Sequence, residues 1–96
     1  MITVTIKVLG PLIKITGAST FTMDLVEGTT IWGLLEQAFE VYGEPMKAEV
    51  MNGAGTDLAP YYIILINGRN CMLMHYMDTP LKDGQVIHIM PPAAGG

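Results

Sequence analysis

Ile2, Val4, Ile6 and Val8 alternate strictly with Thr3, Thr5 and Lys7. Successive side chains on a strand point to opposite faces, so this period of two gathers the apolar groups on one side and the polar ones on the other. A chain that opens this way must bring something apolar to cover that side. After breaks at Gly10-Pro11 and Gly17, a second alternation sets Phe21, Met23 and Leu25 against Thr20, Thr22 and Asp24. Two strands so close in sequence predict a hairpin. The segment between the breaks, Leu12-Ile13-Lys14-Ile15-Thr16, is compatible with a loop or a helical turn.

The cover for the hairpin comes next. Ile31, Leu34, Leu35, Ala38, Phe39 and Tyr42 recur at spacings of three and four, which places them on one helical stripe. Thr29 or Thr30 can cap the start by accepting from the first unpaired N–H groups, and Gly43 followed by Pro45 reads as the stop. The stretch 44–60 has no sustained period and carries Pro45, Gly53, Gly55 and Pro60, so it reads as a long loop with a short strand or turn near residues 48–51. Residues 61–66 are β-rich and apolar on both faces, as in a central strand or one that faces a partner. Asn67-Gly68 is a tight-turn signal. Residues 71–77 then read as a strand, 78–84 as a compact turn and 86–90 as the last strand. The order β-β-α-β-β-β predicts an α+β layer in which one main helix covers a mixed sheet.

Composition narrows the function. With a net charge of −4 and only five basic residues, the chain cannot offer the clustered lysines and arginines that neutralise nucleic-acid phosphates. Charged residues are 15% of the chain, against about 25% in an average domain. Part of the surface is therefore expected to be apolar and covered by another protein. No apolar run approaches the roughly 18 residues of a membrane-spanning helix, and Met1-Ile2-Thr3-Val4 lacks the features of a secretory signal, so a cytoplasmic protein is expected.

Few side chains suggest chemistry. Cys71 has apolar neighbours and reads as a buried, inert thiol. His75, His88 and Cys71 lack the close paired spacing of zinc ligands, so no metal is expected. His88 is out of phase with Ile87 and Ile89; it faces the open side of the sheet with Val86 and Met90, either as part of a partner-binding patch or as an ordinary solvent-facing histidine. Met72, Met74 and Met77 fit either core filling or an adaptable docking surface. Lys82 fits a contact with an acidic group of a partner or a solvated turn. There is no triad, phosphate loop or carboxylate pair, so these residues by themselves suggest no enzyme site.

Four pieces spread along the chain carry a resemblance: Gly10-Pro11-Leu12 through Thr16-Gly17, Glu27-Gly28-Thr29-Thr30, Asp78-Thr79-Pro80-Leu81-Lys82-Asp83-Gly84, and Pro91-Pro92-Ala93-Ala94-Gly95-Gly96. With them the sequence resembles the sulfur-carrier branch of the ubiquitin-like β-grasp family, above all the small subunits of molybdopterin synthase. The resemblance implies a β-grasp domain over residues 1–90 and a flexible diglycine tail over 91–96. It further implies that an E1-like adenylating enzyme activates Gly96 with ATP and that a sulfur donor protein converts the adenylate to a thiocarboxylate. The large subunit of molybdopterin synthase would then take the sulfur. On this reading no cofactor is bound, the acyl-adenylate and thiocarboxylate at Gly96 are transient, and Pro91, Pro92, Ala93, Ala94, His88, Met90 and Lys82 meet partners.

The residue types suit that chemistry. A terminal carboxylate, with a pKa of about 3.5, is ionised at neutral pH and resists attack at its carbonyl carbon until it is joined to a leaving group. Gly95 and Gly96 lack a Cβ and fit a narrow channel, while Pro91-Pro92 favours an extended path. Six extended residues reach at most about 20 Å. Other functions share the pattern: a carrier for thiamine-thiazole or another metabolite, a modifier forming an isopeptide bond through Gly96, or a plain interaction domain. The long 44–60 stretch and the Met-rich 71–77 depart from the resemblance and leave the large-subunit partner open.

Overall fold

A computed structural model describes residues 1–60 and 62–91. The alternating segments form β1 (Ile2–Val8) and β2 (Thr20–Leu25), paired antiparallel from Ile2 opposite Leu25 to Lys7 opposite Thr20. Between them Pro11–Thr16 is a short helix, α1, with proline in its first turn and Gly17 in the left-handed conformation at its end. It buries Leu12. The helical stripe becomes α2 (Ile31–Tyr42), where the Thr30 hydroxyl accepts from the Gly33 N–H and the Gly43 N–H donates to the Phe39 carbonyl. Ile31, Leu34, Leu35 and Ala38 are buried, whereas Phe39 and Tyr42 are half-buried at the margin.

The later strands are β3 (Ile63–Ile66), β4 (Arg69–Asn70) and β5 (Val86–Met90). The sheet order is β2-β1-β5-β3-β4. β5 lies parallel to β1 and antiparallel to β3, so the first and last strands sit together in the middle. Val4, Ile6, Ile64, Ile66, Ile87 and Ile89 from the three central strands meet α2 in one core. This is the helix-covered mixed sheet that the order of elements predicts, in the β-grasp architecture that the resemblance implies. Backbone bonds from Ile31 N–H to the Thr79 carbonyl and from Leu81 N–H to the Thr29 carbonyl tie the start of α2 to the turn before β5.

Two segments differ from the sequence reading. Within the 44–60 loop lies a third helix, α3 (Glu44–Val50), which buries Met46 and Val50. Pro45 stands in its first turn, where a missing N–H costs nothing, so the residue read as a stop is a start. Gly43, at φ 80°, ends one helix and begins the next. Residues 48–50, expected in a short strand or turn, belong to α3 instead, and only Met51 pairs, in an isolated bridge with Leu58.

The second difference is the 71–77 strand, which is absent. Two 3-10 turns, Cys71–Leu73 and Tyr76–Asp78, take its place. Asn70 holds the first by accepting from the Met72 N–H, and Thr79 holds the second by accepting from the His75 N–H and donating to the Tyr76 carbonyl. These local side-chain bonds offer the backbone an alternative to a ladder. Only Cys71 and Met77 are buried, six positions apart, so one face never forms. The expected strand start at Tyr61 and the tail expected at 92–96 lie outside the described residues.

Candidate functional site

The side of the sheet away from α2 divides into two parts. Over β1 and β2 it is polar, with Thr3, Lys7, Thr22 and Asp24 exposed and the Thr3 hydroxyl donating to Asp24 at 2.7 Å. Over β3 and β5 it is apolar. Val86, His88 and Met90 are half-buried there in alternation with the fully buried Ile87 and Ile89, as their phase predicts. Met90 lies opposite Ile63, and His88 lies between Lys7 on β1 and Leu65 on β3. Ile63 is 39% exposed, high for an isoleucine in a strand.

His88 has a further peculiarity. Its Nδ1 is buried and, among the described residues, has no hydrogen-bond partner. A buried polar atom left unpaired costs stability, which a donor or acceptor from another molecule can recover. The apolar half of the open face and this unpaired nitrogen occupy the same rows of side chains.

β5 leads from this patch to Pro91, the last described residue. An added Cβ on Gly10 would stand 3.1 Å from Pro91 Cγ, so the bare glycine leaves room for the proline ring where the chain leaves the sheet. Gly10 also has a φ of 61°, which favours glycine. Sequence reasoning saw Gly10 as a turn and missed its place beside the root of the tail; only the parallel pairing of β1 with β5 brings them together. Ile63 and Leu65 were likewise not singled out, although the apolar character of both faces of 61–66 was the available signal.

The other candidates separate. Lys82 is exposed, its N–H donating to Gln85 Oε1, and it precedes β5 at the end away from Pro91. Val86 and Met90 alone are about 13 Å apart along the strand. Lys82 therefore does not join His88 and Met90. Cys71 is buried and burial pushes its thiol up, against nucleophilic use. Of the methionines, Met77 is buried, Met74 half-buried and Met72 exposed. Among the described residues no group of three His, Cys, Asp or Glu side chains is placed to hold a metal, and no helix is long and apolar enough to cross a membrane. Pro92, Ala93, Ala94, Gly95 and Gly96 lie outside the described residues, so the geometry of the expected reactive end does too.

The sequence model of the ThiS family matches residues 6–96, nearly the whole chain. The chain belongs to the ThiS family. That makes it a member of a ubiquitin-like group of sulfur carriers and modifiers. Its fold is similar to that of the Haloferax volcanii small archaeal modifier protein 1, with a TM-score of 0.83 over 97% of this chain and 100% of the other at 18% identity. The small archaeal modifier protein 1 of Methanosarcina acetivorans is 27% identical, with a TM-score of 0.79 over 100% of this chain and 98% of the other. A Pyrococcus furiosus protein assigned as molybdopterin converting factor subunit 1 is 25% identical, with a TM-score of 0.76 over 97% of this chain and 100% of the other. No curated protein matches the sequence significantly.

Proposed function

We propose that this ThiS-family chain is the sulfur carrier of a molybdopterin synthase, loaded at Gly96. The observation that carries the reading is the course of β5, which bears the half-buried His88 and Met90 and then runs to Pro91 at the root of the Pro91-Pro92-Ala93-Ala94-Gly95-Gly96 tail. Docking and delivery are then assigned to consecutive stretches of the sequence. The likeness to the Pyrococcus furiosus protein supports the choice of product.

In this scheme a Gly96 carboxylate oxygen bonds to the α-phosphorus of ATP in an E1-like enzyme and pyrophosphate leaves. The terminal sulfur of a persulfide on a donor protein attacks the acyl carbon and AMP leaves; a thiol then cleaves the S–S bond of the resulting acyl disulfide, which leaves the thiocarboxylate on Gly96 and a disulfide on the donor side. In the large synthase subunit the thiocarboxylate sulfur bonds to a carbon of the substrate, and water then cleaves the acyl–sulfur bond, so that the sulfur stays on the product and the Gly96 carboxylate is regenerated. The globular part supplies position rather than a reacting group: the apolar β3/β5 patch docks while Gly95 and Gly96 enter the partner. Deleting Gly96 retracts the carboxylate by up to about 3.5 Å, enough to misplace it for attack. The expected result is loss of ATP–pyrophosphate exchange and of the one oxygen-to-sulfur mass change, with an unchanged thermal midpoint. Exchange at the parent rate would overturn the reading.

The Methanosarcina acetivorans modifier protein favours a second reading, in which the activated Gly96 forms an isopeptide bond with a lysine. The two readings share adenylation and separate afterwards. Mass-shifted conjugates in place of a free thiocarboxylate would select the second.

A further inference from the structure

At the end of β5 remote from Pro91, the two 3-10 turns and the turn before β5 enclose a cleft of about 330 Å³. Arg69, His75 and Lys82 stand around it, with Leu73, Met74 and Pro80 as its apolar part. We propose that this cleft binds an acidic segment carrying an apolar anchor, contributed by a partner protein. The proposal concerns a surface separate from the tail and from the β3/β5 patch, and it stands whether or not Gly96 carries sulfur.

Charge is the first argument. The chain has five lysines and arginines against nine aspartates and glutamates, yet two of the five line this cleft and, among the described residues, no carboxylate does. Asp78 and Asp83 adjoin the lining residues Thr79 and Lys82 in sequence but do not line the cleft: Asp83 accepts from the Thr3 N–H at 2.8 Å, and Asp78 lines a separate depression with Trp32 and Asp57. An acidic segment is attracted here and repelled over much of the remaining surface, so the charges fix where it lands.

The apolar side chains supply the second argument. Leu73 is 71% exposed and its neighbour Met72 is 73% exposed. They are not on a loose loop. The first 3-10 turn is held by the bond from the Met72 N–H to Asn70 and anchored by the buried Cys71 behind it. Apolar groups held out in water on a fixed turn suit an apolar anchor, while Arg69 and Lys82 suit its flanking carboxylates.

The test uses the full chain, labelled for amide NMR, titrated with an acetylated, amidated peptide of two leucines flanked on each side by aspartates. A second peptide replaces the aspartates with lysines. Saturable shifts are expected at residues around 69–85 with the acidic peptide, weakened by added salt, and little response to the basic one. The double variant Arg69→Glu, Lys82→Glu should bind the acidic peptide about 10-fold or more weakly, and Leu73→Ala several-fold more weakly, with amide spectra otherwise that of the folded parent. Equal affinity for both peptides, shifts confined to the β3/β5 face, no saturable shift at all, or undiminished binding by the charge-reversed variant would each overturn the proposal.

Discussion

The two faces of the sheet are built from the same three central strands but treat their side chains differently. Toward α2, Ile64, Ile66, Ile87 and Ile89 are at most 1% exposed and pack against Leu34 and Leu35. On the other face Ile63, Leu65, Val86, His88 and Met90 are only partly covered, although four of the five are apolar. No element of the described chain lies over them. The first face uses its apolar surface to hold the fold together; the second retains apolar surface that folding leaves unspent, and with it the unpaired nitrogen of His88. On the proposed reading, stability and association are carried by alternate residues of β5.

If that division is right, the core face should respond to mutation in stability alone. Leu35 is fully buried on α2, and Leu35→Ala should cost about 2–5 kcal/mol through lost apolar burial and the cavity left behind. For a domain of this size that is a large part of the total. Chemical denaturation measures the loss, and under conditions where the variant is still folded its affinity for the activating enzyme should match the parent's. A cost below about 1 kcal/mol would mean that the stripe on α2 is not the main cover of the sheet.

The open face should respond the other way. Met90→Asp places a charge where the proposed partner removes water, and it should weaken association with the large subunit by about 10-fold or more, since a desolvated unpaired charge is costly. Its thermal midpoint should move little, because Met90 is already half in solvent. Titration calorimetry against the purified partner makes the comparison. Unchanged affinity would detach the β3/β5 patch from docking.

How much of this division the sequence showed depends on whether a segment obeys a period. β1, β2, α2 and β5 do, and the phase of β5 alone put His88 and Met90 opposite Ile87 and Ile89. The failures fall where local bonds replace a period. Asn70 and Thr79 bend 71–78 into 3-10 turns that no alternation marks, and Pro45 has opposite meanings at the end and the beginning of a helix. The candidate site was legible in part for the same reason. Phase identifies a face, but the approach of Gly10 to Pro91 depends on β1 pairing with β5 across most of the chain. Tail chemistry came from resemblance to a family and not from any pattern of burial.

At the margin between core and solvent the effects should be intermediate. Phe39 is half-buried and lies with Trp32, Leu35 and Met51 around a depression of about 200 Å³ between α2 and α3. A fully buried phenylalanine loses about 3–5 kcal/mol on truncation to alanine, so Phe39→Ala should lose about half as much. Denaturant midpoints for this variant and Leu35→Ala, compared at equal slope, check the ranking. A larger loss for Phe39 would move the centre of the core toward α3.

The smallest expected effect belongs to the edge of the covered face. Tyr76 sits on the second 3-10 turn with a φ of 52°, and its hydroxyl donates to Asp57 Oδ1 at 2.6 Å, joining that turn to the loop after α3. Burial, then the hydrogen bond and the charge of Asp57, push the phenol up to about 12 from the usual 10.0. An unfolded chain gives up this proton near pH 10, before the folded one does, so ionisation favours unfolding. The stabilising contribution is therefore complete below about pH 10 and is lost as the pH rises through about 12. Tyr76→Phe should cost about 1 kcal/mol at neutral pH through the lost hydrogen bond and should also flatten the alkaline decline. Tyr62, whose phenol is raised by burial and by its bond to Glu49, titrates in both proteins and cancels in the difference. The measurement is the denaturant midpoint of parent and variant from pH 7 to pH 12. The two curves should converge above pH 10; if they stay parallel, Tyr76 keeps no proton that the unfolded chain has lost, and the bond to Asp57 does not fasten this edge.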